Sequence, residues 1–377
     1  MQTRRVADAE GELAEALRRL DARESTEGIA VFVAAGSEPA TGALDPVLCG
    51  LSTPVFGGVF PEIVHGGEAF AEGAVLADLS VRPDVTTITG LDDPETSFEA
   101  ALPEEVAPGR SAFVFVDAFA DGIEAFTRSL FNRYGLEYDF LGGGAGTLAD
   151  GGGPCLVTDR GLVEGAGVFA TVEASTGVGV EHGWRDVAGP FRVTGSSGRT
   201  VSSLGDRPAF EAYRRAVESD SGRDVPREAF FEVAKSYPFG ISRLGGERIV
   251  RDPHAVTDDG SLQCFGDVPE GEMVHVLTGD PESLISAAEG AYRTAVAGRD
   301  GDENASAPSP GDAAVLLFDC ISRVLYLGDD FGRELAAVGG EGEPDIGALT
   351  IGEIANDGRG NLEFYNKTVV AALFEED

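Results

Sequence analysis

The sequence predicts an α/β protein of two domains, with mixed sheets covered by helices. Three observations predict it. Continuous apolar runs, such as Ile29–Ala35 between two glycines and Val315–Phe318 before Asp319, have the length and composition of buried strands. Segments between them repeat apolar residues at helical spacing. The order strand, helix, glycine-bearing strand, closing strand then recurs, with strand start and glycine about 28, 31 and 34 residues apart at Ile29–Gly57, Ser111–Gly142 and Ala313–Gly347. This is a weak internal repeat of a β-α-β-plus-hairpin unit. At 377 residues the chain is long enough for two cores.

Taken in order, Ala7 to Leu20 carries Ala9, Leu13, Ala16, Leu17 and Leu20 on one helical face. Gly28 breaks to the strand Ile29–Ala35; Val55–Val59 brings an apolar pair against Gly57-Gly58, and Gly73–Leu79 closes the unit. The second unit has a strand at Ser111–Val116, then a helix that Asp121 caps, with Ile123, Phe126, Leu130, Phe131 and Tyr134 on one face. Tyr138–Leu141 runs into Gly142-Gly143-Gly144-Ala145-Gly146, read as a tight turn and a ligand-facing floor, and Gly165–Val172 closes that unit. Asp206 and Asp280, each near a proline, start two further helices bearing Phe210, Tyr213 and Val217, and Leu284, Ile285, Ala288, Tyr292 and Val296. Residues 299–311 are acidic and Ser/Pro-rich, which predicts a flexible loop.

Charge is the loudest compositional signal. Asp and Glu number 65 against 28 Lys and Arg, a formal net charge of −37, and Lys235 and Lys367 are the two lysines. Such a chain repels itself in ordinary buffer. In molar salt the Debye length falls to about 3 Å and the repulsion is screened. Acids spread along the whole sequence therefore point to the cytoplasm of a halophile, most simply an archaeal one, and exclude nucleic acid as a natural partner. No apolar run of about 18 residues exists, so no membrane insertion is expected. The first ten residues lack the apolar core of a signal peptide. Cys49, Cys155, Cys264 and Cys320 are far apart and fit reduced thiols; the four histidines show no metal-ligand spacing.

The stretch from Ala314 to Leu373 carries the most chemistry. A buried strand leads to Asp319-Cys320-Ile321-Ser322-Arg323, a helix follows, then Pro344–Ile354 as a glycine-punctuated strand and Phe364–Leu373 as the last strand. A thiol and a guanidinium stand where a strand ends, and Glu353 follows Gly352, where a ligand could approach the backbone. The Cys-Ile-Ser-Arg, Ile-Gly-Glu-Ile and Tyr-Asn-Lys-Thr segments resemble the C-terminal half of the FIST family. Phe140–Gly146 and His182-Gly183-Trp184 resemble the end of its N-terminal half. Ile321-Ser322 replaces the family's usual small pair, and Lys367 its usual glutamine.

The resemblance implies a FIST N-terminal-like domain at 29–205 behind an N-terminal helix at 1–28, and a FIST C-terminal-like domain at 206–377. It also implies a sensory role: binding of a small ligand, with amino acids proposed, and output through a separate signalling partner. The candidate ligand-binding residues are Arg323 for a carboxylate, Glu353 for an amine, and Cys320, Gly352, Asn366, Trp184, Gly143 and Gly144 around them. A salt bridge between Arg323 and Glu353 is the structural alternative. No P-loop or nucleophile elbow is present, and the strand-like run after Gly165-x-Gly167 argues against a dinucleotide fingerprint. No cofactor or metal is expected. Two rival readings remain open, an enzyme using Cys320, Asp319 or Glu353 and a scaffold with a vestigial pocket.

Overall fold

Phe32, Phe115 and Phe318 hold the same place in three copies of one folding unit. Their rings meet in a buried triangle, with centroids 5.5, 5.7 and 5.8 Å apart; Phe32 meets the other two edge to face, and Phe115 and Phe318 are tilted. The computed structural model describes residues 1–7, 11–37, 41–104, 106, 111–148, 152–243, 248–300, 313–339, 344–356 and 360–376. The expected loop at 299–311 lies outside these from residue 301 on; Arg299 and Asp300 end a helix.

The first unit comprises β1 (Gln2–Val6), α1 (Gly11–Asp21), β2 (Gly28–Ala34), α2 (Thr41–Leu48), β3 (Val55–Phe60), the hairpin β4 (Glu62–His65) and β5 (Glu68–Phe70), and β6 (Ala74–Leu79). The second repeats the order: β7 (Asp84–Thr89), α3 (Phe98–Ala101), β8 (Ser111–Asp117), α4 (Ile123–Tyr134), β9 (Asp139–Ala145), the hairpin β10 (Leu156–Thr158) and β11 (Gly161–Val163), and β12 (Ala166–Val172). The third opens with β13 (Ala174–Glu181) and is then interrupted. The insertion holds β14 (Arg185–Ser197), β15 (Thr200–Leu204), β16 (Arg207–Pro208), α5 (Ala209–Ser221), α6 (Phe230–Ala234), β17 (Phe239–Ser242), β18 (Arg248–Val256), β19 (Leu262–Phe265) and β20 (Met273–Thr278). The unit resumes with α7 (Pro281–Asp300), β21 (Ala314–Cys320), α8 (Ile321–Leu327), α9 (Phe331–Ala337), β22 (Ile346–Thr350), the hairpin β23 (Glu353–Ala355) and β24 (Glu363–Tyr365), and β25 (Val369–Glu376).

In every unit a parallel pair is flanked by an antiparallel closing strand: β6-β2-β3, β12-β8-β9 and β25-β21-β22. One glycine fixes each pair. A Cβ on Gly57, Gly142 or Gly347 would lie 1.9, 2.1 or 2.1 Å from the carbonyl oxygen of its register partner, Val31, Val114 or Leu317. The glycine element of the sequence repeat is therefore a close strand contact and not a turn. The hairpins are exchanged cyclically: β4-β5 extends the third unit's sheet, β10-β11 the first's and β23-β24 the second's. Three six-stranded sheets result, and two of them draw strands from both halves of the chain. The insertion forms a fourth, seven-stranded sheet. The repeated units and the mixed sheets agree with the predicted fold class.

Several local expectations are corrected. Gly142–Gly144 run inside β9, and Gly167 inside β12. Gly122 and Pro208, not Asp121 and Asp206, stand at the starts of α4 and α5, with no side-chain cap. Asp280 does cap α7, accepting from Ser283 N at 2.9 Å. The C-terminal stretch has two more strands than expected. Gly352, at φ 86°, separates β22 from β23, and Lys367, at φ 50°, separates β24 from β25, so each pair divides between two sheets. No helix among the described residues is long and apolar enough to cross a membrane.

Candidate functional site

All eight residues singled out from the sequence meet in one place, and that place is the interior. Arg323 lies on the first turn of α8 with no exposed surface. Its Nε donates to Glu334 Oε1 at 2.9 Å, its Nη2 contacts the same oxygen, and Asp319 Oδ1 lies 3.1 Å from Nε. The other donors reach backbone carbonyls: His182 O at 2.7 Å, Leu284 O at 3.1 Å and Lys367 O at 3.4 Å. The guanidinium fork is thus filled by the protein. Glu353 is not its partner. That carboxyl accepts from Thr350 Oγ1 at 2.8 Å and from Thr368 N at 3.3 Å.

The other candidates pack around this pair. Trp184 Nε1 donates to Lys367 O at 3.0 Å, and its ring lies edge-on to Tyr326. Cys320 Sγ lies 3.1 Å from Ser322 Oγ. Asn366 is buried between β24 and β25. What approaches Gly143 and Gly144 closely is the chain itself. A Cβ on either would lie 2.6 Å from Gly352 O or 2.3 Å from Ile351 O, and one on Gly352 would strike the Phe364 ring.

Burial sets the protonation of this cluster. Desolvation, reinforced by Glu334, raises the Asp319 carboxyl well above the usual range, and desolvation also raises Glu334. Glu353 is pushed up to about 8 by desolvation, against the pull of Thr350 and Cys320, and is a neutral acid at pH 7. Desolvation, with Glu353 next, lifts the Cys320 thiol to about 12, far from the thiolate a nucleophile needs. Burial and Arg323 lower His182 to about 4. Arg323 stays charged, because Glu334 and Asp319 outweigh its own desolvation. A second buried pair, Lys367 Nζ to Asp252 Oδ2 at 3.1 Å, ties the turn between β24 and β25 to the inserted sheet.

The open space lies next to this cluster. A cleft of about 740 Å³ forms where the carboxyl ends of the parallel pairs converge. Each unit contributes: Ala35, Gly36 and Glu62 from the first, Phe119, Gly146, Leu148 and Cys155 from the second, Ile321 and Leu325 from the third. In open α/β sheets ligands settle in the crevice beyond the carboxyl ends of the strands, and the volume suits a small molecule. Among the described residues five large apolar side chains are exposed, and Phe119, Leu148 and Leu325 all line this cleft. A smaller, polar groove of about 490 Å³ lies on the Trp184 side, lined by His182, Arg185, Asp186, Arg248, Tyr365 and Thr368.

The sequence reading missed the cleft's apolar lining, because nothing in a single sequence marks Phe119, Leu148 or Leu325 as uncovered. It named Asp319 only as a rival catalytic residue, although its i,i+4 spacing to Arg323 was a readable signal.

The FIST N domain matches residues 9–207 and the FIST C domain residues 209–356. The chain belongs to the FIST family. FIST domains are small-ligand sensory domains of signal transduction, and in this FIST protein the two matches meet inside the inserted sheet, at β16. No curated protein matches the chain.

Proposed function

We propose that this FIST protein is a sensor that binds one small, partly apolar ligand in the cleft at the three strand ends. The observation that carries it is the grouping of Phe119, Leu148 and Leu325, exposed together over a glycine-lined cavity. Among the amino acids and small carboxylates proposed for the family, amino acids suit the cleft better. Its charged lining residue is the carboxylate Glu62, and no guanidinium or ammonium stands among the described lining. Ile321 and Leu325 sit on α8, the helix that carries Arg323, so an occupant would press on the buried charge network. Output through a separate partner protein is the proposed route of signalling. A high-pKa thiol at Cys320 speaks against the nucleophilic-enzyme alternative.

Thermal-shift screening with amino acids and small metabolites tests the reading. Phe119→Ser and Leu325→Ser, at positions already exposed, should cost less than about 1 kcal/mol of stability. Both should abolish the shift produced by any hit. A hit whose shift survives both changes would place the ligand elsewhere.

We also propose that the protein works in the cytoplasm of a salt-accumulating, archaeal-type cell, on the strength of its −37 charge and two lysines. Its thermal midpoint should fall steeply as KCl drops from molar to tens of millimolar. A midpoint flat over that range would count against it.

A further inference from the structure

Glu62 opens β4, the strand lent to the third unit's sheet, and its pairing with Leu349 fixes where it stands. Its side chain lines the cleft, half-buried among Ala35, Val59, Phe119, Ile321 and Leu325. Among the described residues its carboxylate makes no hydrogen bond and no ion pair. Desolvation raises it above the usual carboxylate range, with no cation beside it to oppose that. A half-buried carboxylate in an apolar wall is partly desolvated, and a cation brought beside it would offset that cost.

From these observations we infer that the cleft selects amines: the recognised group is a primary ammonium on Glu62, with an apolar body against Phe119 and Leu325, and a ligand carboxylate is not required. This rests on the cleft being the ligand site and adds the chemical class of its occupant. An ammonium supplies three donors and one positive charge to a carboxylate that has neither partner. A free carboxylate on the ligand would meet no cation in the described lining and would stand against the Glu62 carboxylate.

Calorimetry and thermal shift with 2-phenylethylamine, phenylalanine and phenylacetate, in salt that keeps the protein folded, test this. The amine should bind, phenylalanine should bind more weakly, and phenylacetate should not bind. Glu62→Gln should weaken the amine by about tenfold or more, the loss expected for a charged hydrogen bond. Lowering the pH through the raised carboxyl pKa should weaken it in the parent and leave Glu62→Gln unchanged. Phenylacetate binding as tightly as the amine would overturn the inference. So would Glu62→Gln binding the amine within about threefold of the parent. If Phe119→Ser still abolished binding in either case, the cleft would stand and only the amine selectivity would fall. If none of the three probes bound the parent, this inference would fall.

Discussion

Arg323→Ala should destabilise the fold by about 3–5 kcal/mol, the usual cost of stripping one partner from a buried ion pair. The change leaves Asp319 and Glu334 facing each other without a cation, and removes the donors to His182, Leu284 and Lys367 carbonyls. Arg323→Lys should be nearly as harmful, since one ammonium cannot span partners on α7, α9 and two strand ends. The triple change Arg323→Met, Asp319→Asn, Glu334→Gln removes the charges together and should recover much of the loss. Urea unfolding in molar KCl is the measurement. Salt screens the surface but not this pair, so added KCl should not rescue Arg323→Ala. A mutant as stable as its parent would mean that the guanidinium is not a structural centre.

The second large effect is a loss of stability toward alkaline pH, centred on Glu353. Its pKa in the fold is about 8, against 4.5 as a free side chain. The folded state therefore holds a proton that the unfolded state releases. The stability that comes with it is fully present below about pH 4.5 and is lost as pH rises through 8. At about 1.4 kcal/mol per pKa unit, the loss amounts to a few kcal/mol. Asp319 and Glu334, both raised by burial, act in the same direction. His182 acts in the opposite one. Held neutral with its pKa near 4, it contributes stability above about pH 6.5 that is lost as pH falls toward 4. Thermal midpoints should accordingly peak on the mildly acidic side and decline toward pH 9. Glu353→Gln, which mimics the protonated carboxyl, should match the parent at pH 6 and exceed it at pH 9. A parent equally stable at both pH values would show that Glu353 ionises freely in the fold.

Much of this architecture was readable in the sequence. Apolar runs marked β2, β8 and β21, and the recurring glycine spacing marked the three units, because a close parallel pair tolerates no Cβ at Gly57, Gly142 or Gly347. The family segments picked out residues that do sit together. Their partners were harder to read. Arg323 and Glu353 follow apolar runs, which says that strands end there, but only the packing of α9 supplies Glu334 as the counter-ion. The hairpin exchange was invisible. Breaks at Gly352 and Lys367 send neighbouring residues into different sheets, and local pattern carries no information about which sheet accepts them. Glu62 looked like one acid among 65 until the fold enclosed it.

The cyclic loan of hairpins also bears on how the chain emerges from the ribosome. When Leu79 has been made, β3 still lacks its neighbour β10, and β4-β5 has no sheet to join until β22 is synthesised some 270 residues later. An early nascent chain thus carries open strand edges that its own sequence cannot yet cover. Folding cannot proceed strictly from one end to the other, and consolidation waits for nearly the full length. The arrangement that locks three units around three phenylalanines makes the finished molecule cooperative, and makes holdase protection most valuable while the protein is still being made.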